Sequence, residues 1–241
     1  MAPKFLSWLG IPAGKRWLDV GCGTGALAAA ILDQCAPAAV TAVEPSAGFR
    51  ETAMRNLAGR ASVQGAGAAK LPLADRAVDV VVSGLVLNFI PELPAALREM
   101  ERVAAAGGTV AAYVWDYAGK MELMRAFWDA AAELDAGAAA LDEGKRFPLC
   151  RPEALEQALA GAGLRGIAVS PLDVATRFSS FDDYWQPFLG GQGPAPSYAM
   201  SLAEPARVKL REALRARLPA AADGSIALVA RAWAVRGALS A

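Results

Sequence analysis

The sequence predicts an α/β chain, a sheet covered by helices on both faces, and three observations carry that reading. Short valine-rich runs alternate with helix-like stretches through residue 115, as in parallel strands joined by crossover helices. A glycine-rich break, "GCGTG" at 21–25, falls where the first such run gives way to an alanine-rich stretch. After residue 115 the alternation stops, and two long strand-like runs appear far apart, at 165–178 and 225–236.

Residues 16–20 (RWLDV), 39–43 (AVTAV), 78–83 (VDVVVS) and 108–115 (GTVAAYVW) read as buried strands, bounded by glycine, proline or charge. Helices fill the gaps. Residues 25–35 are alanine-rich, 46–57 start at a Ser46 cap, and 92–105 carry Leu93, Leu97, Met100 and Val103 on one face. The crossovers are right-handed by default. Further on, 119–135 reads as a helix, 152–162 as a second one opened by Pro152, and roughly 202–218 as a charged one. The text "SLAE" fits a capping box from Ser201 to Glu204. Between the two long strands, "FDDYWQPFLGGQGPAPSY" places aromatic residues around a Gly/Pro stretch at 190–196, which reads as a covering loop.

Composition narrows the function. With 241 residues, 55% hydrophobic and 20% charged, one sizeable core is expected, so 1–241 reads as a single domain with a substrate-covering insertion near 179–220. Lysine plus arginine equals aspartate plus glutamate at 24 each, which argues against a nucleic-acid partner. Three cysteines (Cys22, Cys35, Cys150) without CxxC spacing fit a reducing cytoplasm, and the absence of histidine argues against a metal site. No leader-like segment or bilayer-length apolar run is present, so a soluble, cytoplasmic protein acting on a small molecule is expected, and no oligomeric state is assigned.

The glycine break is the turn from first strand to first helix. Gly21 can take an unusual dihedral there, and Gly23 and Gly25, lacking Cβ, let a ligand touch the backbone. Amides at the helix start favour an anion, either a pyrophosphate or an amino-acid carboxylate. Glu44, at the end of the second strand, can accept hydrogen bonds from two ribose hydroxyls. A nucleoside cofactor follows. Gly21, Gly23 and Ala26 also satisfy G-x-G-x-x-G/A, which leaves a nicotinamide-dependent oxidoreductase open.

The surrounding text is more specific: "LDVGCGTG", "VEPS", "AAKLPLADRAVDVVVSGLVLNF" and "REMERVAAAGGTVAAYVWD" follow in order. Over residues 17–116 the chain resembles the class I S-adenosylmethionine-dependent methyltransferases, in the branch of ubiquinone-biosynthesis-type and methyltransferase type 11 enzymes. The resemblance implies a Rossmann-like fold with a seven-stranded mixed sheet, the strands at 165–178 and 225–236 forming its antiparallel edge. It implies methyl transfer from S-adenosylmethionine by in-line displacement, with S-adenosylhomocysteine as product. Asp19, Gly21, Cys22, Gly23 and Gly25 would surround the methionine part, Glu44 the ribose, and Pro45 and Ser46 the adenine. Ser83, Gly84 and Leu85 would pass beneath the sulfonium.

Two features depart from the family pattern. Where members carry "GDAxxLP", with an aspartate on the adenine amine, this chain reads "AGAAKLP", so Gly67 replaces the acid and the Gly67 and Ala68 backbone is left to substitute. About 16 residues precede the first strand, fewer than the one or two helices usual there, so a more open site with a lid supplied from elsewhere is expected. These departures keep open a non-catalytic protein that binds the cofactor or its product.

Methyl transfer mainly requires alignment and exclusion of water. Without histidine, a base would be Asp, Glu, Tyr, Lys or water; Asp116 is the candidate, with Tyr117 beside it and Lys120 as a further polar contact. Asn88, Phe89, Tyr184, Trp185 and Phe188 are the candidate substrate contacts, the aromatics lining an apolar pocket. Trp115 and Trp128 read as core, Arg207, Arg211 and Arg215 as a solvated helix face, and Cys22 as a small neighbour of the cofactor rather than a nucleophile.

Overall fold

The structure is a computed structural model describing residues 1–190 and 193–240. Its strands are β1 (Arg16–Val20), β2 (Ala39–Val43), β3 (Ser62–Gln64), β4 (Val78–Gly84), β5 (Ala104–Trp115), β6 (Arg165–Phe178) and β7 (Ile226–Ala238). They form one seven-stranded sheet in the order β3-β2-β1-β4-β5-β7-β6. The first five pair in parallel. Against β5, the amide of Leu239 donates to the carbonyl of Gly108 and that of Asp116 to Arg231, so β7 runs antiparallel. The sheet is therefore mixed, with β6 at its edge, the place in a sheet where a proline such as Pro171 is tolerated.

The helices are α1 (Ala2–Leu9), α2 (Ala26–Gln34), α3 (Ala47–Leu57), α4 (Leu93–Val103), α5 (Glu122–Leu134), α6 (Glu143–Arg146), α7 (Pro152–Gly161), α8 (Phe181–Trp185), α9 (Pro194–Ser201) and α10 (Glu204–Arg217). None among the described residues is long and apolar enough to cross a membrane. The chain divides into two compact units: residues 1–114, 151–172 and 233–241, and residues 115–150 and 173–232.

In the first unit, Trp17, Leu18 and Val20 of β1 and Val80, Val81 and Val82 of β4 are buried, as central parallel strands covered on both faces require. Helix α4 turns Ala96, Leu97, Met100 and Val103 inward; of the predicted face, Leu93 is only half-buried and Ala96 joins the core in its place. β5 begins at Ala104 rather than 108. Val78 pairs with Ala104 and Val80 with Thr109, so the glycines that read as a boundary form a bulge within the strand, Gly107 at φ +68°. The residues before β1 form α1, whose Phe5 is buried against the Tyr113 ring at 4.7 Å. The predicted strands also omit β3, which is only three residues long.

The second unit has its own aromatic core. Phe127 stacks on Phe188 at 4.5 Å and meets Trp128 edge-on at 5.1 Å; Tyr184 packs edge-on to Phe178 at 5.3 Å. Its helical segments begin differently from the predicted ones. Asp116 Oδ2 accepts from the Lys120 amide at 2.8 Å, closing a turn that delays α5 to Glu122. The capping box is not formed: the Ser201 hydroxyl donates to the Tyr198 carbonyl at 2.8 Å, and α10 starts after Ala203 without a side-chain cap. Of the predicted loop at 190–196, Gly191 and Gln192 lie outside the described residues. Pro194 instead opens α9, its fixed φ suiting a first helical turn.

Because Phe188 is buried among Phe127, Tyr184 and Trp185, Phe188→Ala is expected to destabilise the chain by about 3–5 kcal/mol. Denaturant unfolding followed by tryptophan fluorescence measures it; a loss below 1 kcal/mol would contradict this core assignment.

Candidate functional site

Where β1 ends, the chain must turn sharply into α2. Gly21, Gly23 and Gly25 take φ of +72°, +55° and +88°, conformations that cost a side-chain-bearing residue about 1–2 kcal/mol each. The amides of Gly21 and Cys22 both donate to the Val43 carbonyl, which ties the turn to the end of β2. A Cβ on Gly21 would lie 2.6 Å from Val86 Cγ1, so the glycine also permits close packing against the segment after β4.

Glu44 fixes the turn from the other side. Its Oε2 accepts from the Gly23 amide at 3.0 Å, and its Oε1 from the Ser46 amide at 2.9 Å. Ser46 is the N-cap of α3 as predicted, though its hydroxyl makes no cap bond and its amide serves Glu44 instead. Arg50 donates to the carbonyls of Glu44 and Pro45, holding the loop that carries them.

Asp19 lies fully buried in β1, and neither carboxylate oxygen has a hydrogen-bond partner. Burial pushes its pKa up to about 7; the nearby Ala28 amide opposes the shift and the Glu44 charge adds to it. Among the described residues, the other buried side-chain atoms left unpartnered are Trp17 Nε1 and Asn88 Nδ2. Burial, with the Asp19 and Glu44 charges, pushes the Cys22 thiol up to about 12, which makes it a poor nucleophile.

These elements border a cleft of about 430 Å³, lined by Gly21, Glu44, Pro45 and residues 66–69 on one part and by Val86 and residues 89–92 on another. Its lining is apolar apart from two acids, Glu44 and Glu92. Of the predicted cofactor residues, Gly21, Glu44, Pro45, Gly67 and Ala68 line it; Asp19, Cys22, Gly23, Gly25 and Ser46 are not among the lining residues, although the Gly23 and Ser46 amides hold the Glu44 carboxylate. Ser83 differs from expectation: its hydroxyl donates to the Val20 carbonyl at 2.9 Å, joining β4 to β1. Leu85 takes φ +63° with its amide on the Tyr113 carbonyl, and Val86 rather than Leu85 faces the cleft. Phe89, 57% exposed, lines it as well. Val86, Ile90 and Glu92 were missed, because only the fold brings the segment after β4 to the cleft.

Asp116, Tyr117, Tyr184, Trp185 and Phe188 belong to the second unit, where the structure gives them the following surroundings. Asp116, expected as a base, is a buried turn cap; a Cβ on Gly119 would lie 2.5 Å from its Oδ2. Tyr117 packs on Phe147 at 5.7 Å, and burial, with Glu143 and Cys150 nearby, raises its phenol pKa. Tyr184, Trp185 and Phe188, expected as substrate contacts, are spent on the aromatic core, and the Tyr184 hydroxyl donates to the Leu123 carbonyl. A buried acid that no motif signalled, Glu143, accepts from Trp128 Nε1, and its pKa is raised by burial. Arg211 and Arg215 lie over the Phe181 ring and pair with Asp182, so the basic stripe is largely neutralised. Among the described residues no cluster of potential ligands could hold a metal ion.

Residues 18–112 match a family described as a methyltransferase domain. The chain is 36% identical over 157 residues to a malonyl-[acyl-carrier protein] O-methyltransferase of Geobacter sulfurreducens, covering 64% of this chain and 57% of that one. It is 34% identical over 101 residues to a demethylmenaquinone methyltransferase of Roseiflexus castenholzii, 42% of each chain. The chain thus spans about half the length of these relatives. Among solved structures, the YcgJ protein of Bacillus subtilis matches with a TM-score of 0.61 at 14% identity, over 99% of this chain and 98% of that one. A Haemonchus contortus phosphoethanolamine N-methyltransferase 2 in complex with S-adenosyl-L-methionine matches at 0.60 and 15%, over 98% and 52%. The [4+2]-cyclase SpnF matches at 0.56 and 21%, over 99% and 81%.

Two outcomes follow from the geometry. Gly21→Ala is expected to cost about 2–4 kcal/mol, combining left-handed strain with the Val86 clash, and Val86→Ala added to it should recover only the clash. Thermal unfolding of both variants checks this, and additive losses would contradict it. Asp19 holds a proton in the folded chain at pH values where the unfolded chain has released it. Its contribution to stability therefore falls as pH rises from about 4 to about 7 and is level above that. Denaturant unfolding at pH 4.5 and 8 should show wild type losing stability relative to Asp19→Asn; parallel pH profiles would contradict the buried, unpartnered carboxylate.

Proposed function

We propose that this chain, which carries a class I methyltransferase domain over residues 18–112, transfers a methyl group from S-adenosylmethionine to a small-molecule acceptor. One observation carries the reading: Glu44, its carboxylate oriented by the Gly23 and Ser46 amides, stands at an apolar cleft whose supporting turn rests beside the unpartnered carboxylate of Asp19. These residues fit the cofactor's three parts. Each Glu44 oxygen keeps a lone pair for a ribose hydroxyl. Pro45, Ala66, Ala68, Val86 and Ile90 offer apolar contact to a flat base. Asp19 supplies the counter-charge for the ammonium of the methionine part.

When bound, S-adenosylmethionine supplies a methyl group already activated on a sulfonium. The chain's own task is to hold and orient, and to exclude water. Leu85, held left-handed by its bond to Tyr113, fixes the segment that follows β4. On that segment the unpartnered Asn88 amide and the Phe89 ring are the proposed acceptor contacts, one polar and one apolar. No base is assigned: Asp116 is engaged as a turn cap, so an acceptor arriving ionised, or water as proton carrier, suits the chain better. The acceptors named for the relatives, malonyl-[acyl-carrier protein] and demethylmenaquinone, are the first compounds to try. Three cysteines without disulfides support a reducing, cytoplasmic setting.

A second reading, binding of the cofactor without methyl transfer, is favoured by the likeness to a [4+2]-cyclase, since one fold can serve different chemistry. Calorimetry should show S-adenosylhomocysteine binding, no binding of NAD, and loss of the former in Glu44→Ala; binding of NAD alone, or an unchanged Glu44→Ala, would overturn the assignment. Transfer of a tritiated methyl group to either relative's acceptor then favours the enzyme over the second reading.

A further inference from the structure

The cleft holds a carboxylate that its glycine motif lacks. At Gly67 a Cβ would meet nothing within 4 Å, so the position is bare although space for a side chain exists. Of the two acids lining the cleft, Glu44 is engaged by the Gly23 and Ser46 amides. The other, Glu92, precedes α4, and its carboxylate caps no amide and takes part in no hydrogen bond or ion pair with the described residues. Much of the remaining lining is apolar: Ala66, Ala68, Ala69, Ile90 and Pro91 offer a flat base contact but no side-chain acceptor for its polar edge.

We propose that Glu92 accepts a hydrogen bond from the exocyclic amine of the cofactor's adenine, from a different stretch of the cleft lining than the one that carries Gly67. The proposal rests on the S-adenosylmethionine reading of the cleft. It makes Glu92 a specificity residue. A carboxylate can only accept, so it favours a base whose edge donates and disfavours one that presents a carbonyl oxygen there. Glu92 is exposed, which screens the contact and limits its effect to about tenfold.

Calorimetry on the full chain with S-adenosylhomocysteine and S-inosylhomocysteine, in which a carbonyl replaces the amine, tests this directly. Wild type should prefer the adenosine compound by about tenfold. Glu92→Ala should bind the two about equally, and Glu92→Ala with Gly67→Asp should regain the preference, because the aspartate has open space at that position. A preference unchanged in Glu92→Ala would overturn the proposal and assign the amine to the Gly67 and Ala68 backbone. If wild type binds neither compound, the S-adenosylmethionine reading fails, and that result is distinct from a loss confined to Glu92.

Discussion

The candidate site depends on one carboxylate. Glu44 joins the Gly23 amide of the β1–α2 turn to the Ser46 amide at the start of α3, each a charge-assisted bond of about 1.5–3 kcal/mol. Without it, the Gly23 and Ser46 amides lose their acceptor, and the three alternating left-handed glycines at 21, 23 and 25 lose a contact that helps select one conformation for them. The group suited to ribose hydroxyls is therefore also the clasp of the turn that faces the cleft. In the proposed complex, binding and folding use the same atoms.

Around that clasp the chain keeps polarity where a ligand could use it. Most buried polar groups in folded proteins are paired. Of the four unpartnered buried side-chain atoms among the described residues, two are the oxygens of Asp19 and one is the amide nitrogen of Asn88. Both residues belong to segments that support or follow the cleft strands, β1 and the turn after β4. Burying the Asp19 carboxylate costs stability, as its pKa near 7 reflects, and a cationic group beside it would relieve that cost.

Much of the first unit was legible in the sequence because its physics is local. Buried parallel strands read as unbroken valine runs, and the strand-to-helix turn needs glycine where no other residue fits, so β1, β2, β4 and the 21–25 turn stood out. Glu44 followed from its place one residue beyond β2. The second unit was harder to read. Tyr184, Trp185 and Phe188 have the composition of a pocket wall and of a core alike, and only packing decides between them. Ser201 matched a capping box by spacing, yet its hydroxyl found the Tyr198 carbonyl first. Asp116 sat where a base would, but four residues of turn geometry claimed it. Glu92 and Glu143 carry no motif, and each gains meaning only from neighbours distant in sequence or brought close by a turn.

A crystal structure of the chain grown with S-adenosylhomocysteine tests the central claim most directly. The account predicts the ribose hydroxyls on the Glu44 carboxylate, the adenine between Pro45 and Val86, and the methionine part against the 21–25 turn. Ligand density elsewhere, or a Glu44 carboxylate that keeps its two amides and touches no ribose, would contradict it.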